Sequence, residues 1–300
     1  MYRGLRAGTK NSINDISIYL QTTRAIKYKE DIMDDYLRKN RELWNEITLI
    51  HARSAFYDVE GFKKGRSSML YPIELEEMGD VAGKSLLHLQ CHFGMDTLSW
   101  ARLGAKVTGV DFSDKAIDTA RALGKELGIE ANFICSDIYD LRNNLDGKFD
   151  IVYTSAGVLC WLPDLKKWAE IISHFLKPGG FFYILEGHPF MMVFDDSRDS
   201  KEPKVKHSYF HTPEPTEWEP EGDYADPDAV VTHSSYEWTH DMGDIINSLI
   251  SSGLRIEFLH EFPVIFFKCL PFMECDDDGL WRLEGDRLPL TFSIRATKPR

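Results

Sequence analysis

The sequence predicts an α/β protein: a doubly wound, mostly parallel sheet of seven strands, with a helical segment before it and an insertion after the fifth strand. Three observations predict it. Short apolar runs bounded by glycine alternate with amphipathic segments of roughly a dozen residues. That alternation is the pattern of right-handed βαβ units, whose helices cover a parallel sheet on both faces. A chain of 300 residues, 43% hydrophobic and 12% aromatic, is also long enough to bury a large core.

Residues 1–32 are basic early on (Arg3, Arg6, Lys10, Arg24, Lys27) and lack periodicity, so a flexible arm is expected there. Residues 33–70 read as a helical cap. Tyr36, Leu37, Leu43, Trp44, Ile47, Leu49 and Ile50 carry the periodicity of one or two amphipathic helices.

The main domain is expected over 71–300. Its first strand is Ser85 to Leu89, followed by a helix from Asp96 to Leu103 that ends at Gly104. Lys106 to Val110 is the second strand, with Asp111 at its carboxyl end. Asp114 to Leu127 has Ala116, Ile117, Ala120, Leu123 and Leu127 at helical spacing, with Gly128 as the stop. Asn132 to Cys135 and Phe149 to Thr154 are the third and fourth strands. A helix from Leu165 to Leu176 follows, then the sharp stop Lys177-Pro178-Gly179-Gly180 and a fifth strand from Phe181 to Leu185.

Between 191 and 235 the pattern breaks. This stretch holds five of the thirteen prolines, and eleven acidic residues against four basic ones. It reads as an insertion, and its aromatic residues Phe194, Tyr209, Phe210, Trp218 and Tyr224, with Tyr236 and Trp238 just beyond, suggest a lid over a substrate or a packing flap, the lid being slightly favoured. Periodicity returns at Met242, Ile245, Ile246, Leu249 and Ile250, a helix stopped by Gly253. Strands at Leu254 to Leu259 and Leu290 to Ala296 complete the sheet.

A net charge of −13 makes a nucleic-acid backbone an unfavourable partner, and a small-molecule substrate is expected instead. Five cysteines, odd in number and without a paired CxxC, read as reduced thiols in a cytoplasmic protein. No run approaches the roughly 20 apolar residues of a membrane span, and the first twenty residues hold no apolar block suited to a signal peptide.

In an open α/β sheet, ligands bind beyond the carboxyl ends of the strands. Gln90, Cys91, His92 and Gly94 follow the first strand, Asp111, Phe112 and Ser113 the second, Asp137 and Ile138 the third, and Ser155 the fourth. A carboxylate at Asp111 suits the two hydroxyls of an adenosine ribose. Asp137 beside Ile138 suits an exocyclic amine and one face of a purine. Three such placements on one sheet edge point to an adenosine-containing ligand. His88, Cys91 and His92 lack a fourth ligand at a recognisable spacing, so no metal centre is expected there.

The segments Leu87 to Gly94, Val110 to Ser113, Cys135 to Ile138 and Leu176 to Gly180 resemble the ordered motifs of class I S-adenosylmethionine-dependent methyltransferases. The resemblance covers residues 84–187. LLHLQCHFGMDTLSWARLGAKVTGVDFSDKAI (86–117) is more narrowly similar to bacterial members of unassigned substrate, whose N-terminal helices also resemble Asn40 to Gly61. The resemblance implies S-adenosylmethionine as cofactor and S-adenosylhomocysteine as product. It sets Gly94 and its neighbours along the methionine part, Asp111 on the ribose, Phe112 and Ile138 beside adenine, Asp137 on its amine and Ser155 on the wall. The sequence departs from the family pattern where the usual acidic residue and first two glycines are replaced by His88, Gln90 and His92.

Methyl transfer from a sulfonium is an in-line displacement, so alignment and desolvation can supply most of the catalysis. Substrate-facing candidates are Trp44, Glu186, His188, Tyr209, Trp238 and His240, among which Glu186, His188 and His240 are candidate bases. Two alternatives stand beside this reading. A nicotinamide-dependent oxidoreductase would need a G-x-G-x-x-G turn that positions 90 to 95 do not supply. A non-catalytic nucleoside-binding module would keep the pocket without turnover.

Overall fold

The computed structural model describes residue 33 and residues 35–66, 68–220 and 222–300. The expected arm at 1–32 lies outside the described residues. One sheet organises the chain, in the order β3-β2-β1-β4-β5-β11-β8. Its strands are β1 (Ser85–Leu89), β2 (Lys106–Asp111), β3 (Asn132–Cys135), β4 (Phe149–Thr154), β5 (Leu176–Gly187), β8 (Arg255–Phe262) and β11 (Thr291–Thr297). β11 runs antiparallel between β5 and β8, while the five N-terminal strands pair in parallel. The sheet grows from β1 to β2 and β3 on one side and to β4 and β5 on the other. The carboxyl ends of β1 and β4 are therefore the switch point, where such sheets open a crevice.

Successive side chains of a buried strand serve opposite faces. Leu87, Val152, Phe182 and Ile294 pack with Trp168 and Ile172 of α7 (Leu165–Phe175) and Ile245 and Leu249 of α8 (Met242–Ser251). On the other face Leu86, Ile151, Tyr153 and Tyr183 pack with Met78 of α3 (Pro72–Met78) and Trp100 of α4 (Met95–Arg102). On α5 (Asp114–Leu127), Ile117, Ala120 and Leu123 close over Phe93 and Phe133. Its ends match the sequence: Ser113 accepts from the Ala116 amide, and Gly128 takes the left-handed conformation that terminates a helix.

Four features depart from the sequence reading. α3 was not expected; it starts on Pro72, favourable at a first helical position, with Glu74 accepting from the Tyr71 amide at 2.8 Å. β5 starts at Leu176, and the glycine stop is its bulged entry, where the pairing with β4 slips between Phe149 and Ile151. The stretch 191–235 stays outside the main sheet but is not strandless: β6 (Thr216–Trp218) pairs with β7 (Ser235–Glu237). A second ribbon joins β9 (Glu274–Cys275) to β10 (Trp281–Arg282), over a satellite core of Met191, Phe194, Ile265 and Leu290.

Before the sheet, residues 35–51 form helix α1 and Val59–Lys63 form α2; the short helix α6 (Leu141–Asn144) follows β3. Two sets of hydrogen bonds fix α1. Asn40 exchanges side-chain hydrogen bonds with the backbone of Tyr236 at 2.7 and 2.8 Å, and Asn45 accepts from Ser113 Oγ and donates to Asp114. Among the described residues, no helix is long and apolar enough to cross a membrane.

Candidate active site

A cavity of about 300 Å³ opens at the switch point. Its floor is the loop after β1. Gln90, His92 and Gly94 all have positive φ, at 56°, 49° and 80°. A left-handed conformation costs a residue with a side chain about 1–2 kcal/mol, and such strain persists where surrounding structure over-determines it. The loop thus keeps a glycine-type path with two side chains added. At Gly94 the constraint comes from behind the cavity: an added Cβ would sit 2.7 Å from the Phe133 ring and 2.9 Å from Ala120.

Both added side chains are tied down on one side. Gln90 Nε2 donates to the Val158 carbonyl at 3.1 Å, and His92 Nε2 meets His51 Nδ1 at 2.8 Å. Their other ends, Gln90 Oε1 and His92 Nδ1, are buried without a partner, on two residues that line the cavity. Buried polar atoms are rarely left unpaired, because each costs about 1–3 kcal/mol.

Asp111 ends β2 and anchors the loop. Its carboxylate accepts from the His92 amide at 2.8 Å and the Ser113 amide at 2.9 Å, and burial raises its pKa to about 6 against those hydrogen bonds. Phe112, Asp137, Ile138 and Ser155 complete this end of the wall, with Asp137 accepting from the Tyr139 amide at 2.7 Å. Of the ten residues read from the sequence for the cofactor, nine line the cavity. Ser113 does not: its hydroxyl caps α5 and donates to Asn45.

Residues 87–184 match the family described as "Methyltransferase domain". Over those residues the chain is similar to a methyltransferase domain. It is 33% identical over 105 residues to a ubiquinone biosynthesis O-methyltransferase of Shewanella pealeana, covering 35% of this chain and 44% of that one. A protein of the same name from Bordetella avium is 30% identical over 156 residues, covering 49% and 64%. These matches thus span roughly half of the relatives' length. Among solved structures, an S-adenosylmethionine dependent methyltransferase from Mesorhizobium loti superposes with a TM-score of 0.53 at 21% identity, over 75% of this chain and 96% of that one. That likeness establishes the fold.

Beyond the loop, the cavity becomes aromatic. Tyr71 stacks on Phe266 at 3.5 Å, and Phe56, Met69, Trp161 and Phe267 stand around them. Two carboxyls sit in this apolar end. Burial raises Glu74 to about 8 and Asp96 to about 6. Tyr153 donates to Glu74. His88 is neutral, its pKa lowered by burial to about 3, with its nitrogens on Thr97 Oγ1 at 2.8 Å and Ser155 Oγ at 3.1 Å.

Among the six substrate-facing candidates only Trp44 lines the cavity, edge-on to His92 and Trp161. Glu186 lies behind the wall. Its carboxylate accepts from the amides of Gly157 (2.5 Å), Val158 (2.8 Å), Leu159 (3.2 Å) and Gly187 (2.7 Å), which fixes the turn carrying Gly157, Val158 and Trp161. His188 pairs with Glu261 at 2.9 Å on the far strand edge. Tyr209 accepts from the Met242 amide, and Trp238 is buried edge-on to Tyr36. His240 holds the Leu162 carbonyl at 2.6 Å. Its ligand atom lies within 4.8 Å of those of His211 and Asp244, the described residues with metal-ligand spacing.

Three residues that the sequence reading did not single out, together with Tyr224 of the expected lid, complete the site. His51 at the end of α1, Tyr57 after it, and Asp223 and Tyr224 from the insertion converge above His92. Tyr57 and Tyr224 share a hydrogen bond of 2.5 Å between their hydroxyls. The one available signal was chemical: histidine and tyrosine in a cap, and an acid next to an aromatic residue in an acidic loop.

Proposed function

We propose that the chain transfers the methyl group of S-adenosylmethionine to a small aromatic acceptor. The observation that carries the reading is the wall itself: a strained loop ending in two unpartnered buried polar atoms, opposite a buried carboxylate, with an aromatic chamber beyond. When bound, S-adenosylmethionine supplies an electrophilic methyl group on a good leaving group. Asp111 would hold the ribose hydroxyls, Phe112 and Ile138 would flank adenine, and Asp137 would meet its amine. Gln90 Oε1 offers an acceptor to the amino-acid end.

The protein's further contribution is alignment and exclusion of water. Tyr71, Phe266, Phe267 and Trp161 would hold a planar acceptor by stacking and apolar contact. Tyr224, from the insertion, packs on Phe56 and Phe267 across the mouth, which supports the insertion as a lid. The named relatives act in ubiquinone biosynthesis as O-methyltransferases, which favours an oxygen acceptor on an aromatic ring.

The test is formation of S-adenosylhomocysteine from S-adenosylmethionine across a panel of phenols, catechols and aromatic amines. Turnover with the hydroxylated rings supports the proposal. Cofactor binding with no turnover on any member favours the non-catalytic module.

A further inference from the structure

We propose that Asp223, His51 and His92 form a proton relay in which His92 is the general base that deprotonates an aromatic hydroxyl acceptor. The inference rests on the methyltransferase reading above and names the acceptor group and the base of that site.

The geometry fixes the tautomers. An ionised Asp223 only accepts, and its oxygens lie 2.9 and 3.0 Å from His51 Nε2, so that nitrogen carries the proton. Neutral His51 then presents a lone pair at Nδ1, and His92 Nε2, 2.8 Å away, must donate to it. The remaining nitrogen, His92 Nδ1, is left with a bare lone pair; it is buried and unpartnered, on a residue that lines the cavity. Both His51 and Asp223 are closed off from solvent, with side chains 0% and 5% exposed.

Each member comes from a different segment: the cap helix, the strained loop and the insertion. His92 also holds a left-handed backbone where the family pattern has glycine. Backbone strain retained at a buried titratable residue is a feature of functional sites. Trp44, Tyr57 and Phe93 pack around the ring and set its plane. Burial and His51 hold the pKa of His92 well below the ordinary value, so it rests unprotonated. Held alone, such a group could not keep a proton. The relay moves the charge to where a carboxylate faces it.

In the step, the acceptor oxygen forms a bond to the methyl carbon as the carbon–sulfur bond breaks, and that electron pair leaves on sulfur. The hydroxyl proton passes to His92 Nδ1, the His92 Nε2 proton passes to His51 Nδ1, and the positive charge ends on His51 beside Asp223. An aromatic hydroxyl fits the chamber, whose Glu74 is held neutral at pH 7 and so offers no charge to an ammonium group.

The experiment has two arms on the full chain. In the first, histidine nitrogen NMR reads the tautomers; protons on Nε2 of both His51 and His92 are expected, and a proton on His92 Nδ1 overturns the relay. In the second, protein with S-adenosylhomocysteine is titrated with 4-nitrophenol below its solution pKa, and the phenolate absorbance is read. The bound probe should ionise. His92→Gly, which suits the left-handed backbone, should lose the phenolate signal at saturating S-adenosylhomocysteine, and added imidazole should restore it. Asp223→Asn should move the probe's ionisation to higher pH. The other titratable groups at this point are Tyr57, Tyr224 and Asp111, and Tyr57→Phe should leave the signal in place. A probe bound as the neutral phenol, unbound, or ionised in His92→Gly overturns the assignment. Failure to bind S-adenosylhomocysteine instead refutes the cofactor reading, with the tautomers still deciding the relay.

Discussion

Replacing Glu74 with glutamine should remove most of the protein's loss of stability between about pH 6 and about pH 8. Glu74 is fully buried under the apolar end of the cavity, accepts from the Tyr71 amide and is paired with Tyr153. Burial first, and then Asp96, raise its pKa from 4.5 to about 8. The folded protein therefore keeps this proton up to about pH 8, whereas the unfolded chain gives it up near 4.5. Between those values the folded state binds more protons, so its stability is full below the lower pKa and falls as pH rises, by up to about 1.4 kcal/mol per pH unit. The whole window is worth on the order of 5 kcal/mol at most. Asp96 and Asp111, each raised to about 6, act with the same sign but only below that pH. Glutamine matches the shape, can accept from Tyr71 and donate to Tyr153, and has no proton to lose. Urea denaturation of both proteins at about pH 6 and about pH 8 measures the difference. The reasoning is refuted if the two proteins lose stability equally between these values.

Three further substitutions probe the site. Asp111→Ala should weaken S-adenosylhomocysteine binding by about 100-fold, the loss of charge-assisted hydrogen bonds to a ribose; unchanged affinity in calorimetry would remove Asp111 from the ribose. Gly94→Ala should destabilise by roughly 2–5 kcal/mol, combining left-handed strain with overpacking against Phe133 and Ala120, as measured by denaturant unfolding. Glu186→Gln turns an amide group toward backbone donors, so it should cost roughly 1–3 kcal/mol. It should also lower turnover by loosening Gly157 to Trp161, with the pH profile unmoved; a shifted profile would restore Glu186 as a base.

The parallel half of the fold was legible because each element carries its own signal: α5 has its cap, apolar face and glycine stop in the sequence, and β1, β2 and β4 are largely buried runs between turns. The cavity wall at the ends of β1 to β4 was legible for the same reason, since its residues follow strands directly. The rest of the cavity was not. Glu186 and His188 follow a strand too, but Glu186 turns onto four backbone amides and His188 onto Glu261, choices that depend on tertiary neighbours. Asp223 comes within reach of His51 across 172 residues, and no local period encodes that pairing. The ribbons around Trp218 and Trp281 escaped notice because strands of two or three residues are too short to show alternation.

The central claim is that the cavity at the ends of β1, β2 and β4 holds a sulfur nucleoside. Calorimetric titration of the chain with S-adenosylmethionine, S-adenosylhomocysteine, NAD and NADP tests it directly. The account predicts binding of the two sulfur nucleosides at about micromolar Kd, near −8 kcal/mol, with no heat from the dinucleotides. Silence toward both sulfur nucleosides, or a preference for NAD or NADP, would contradict it.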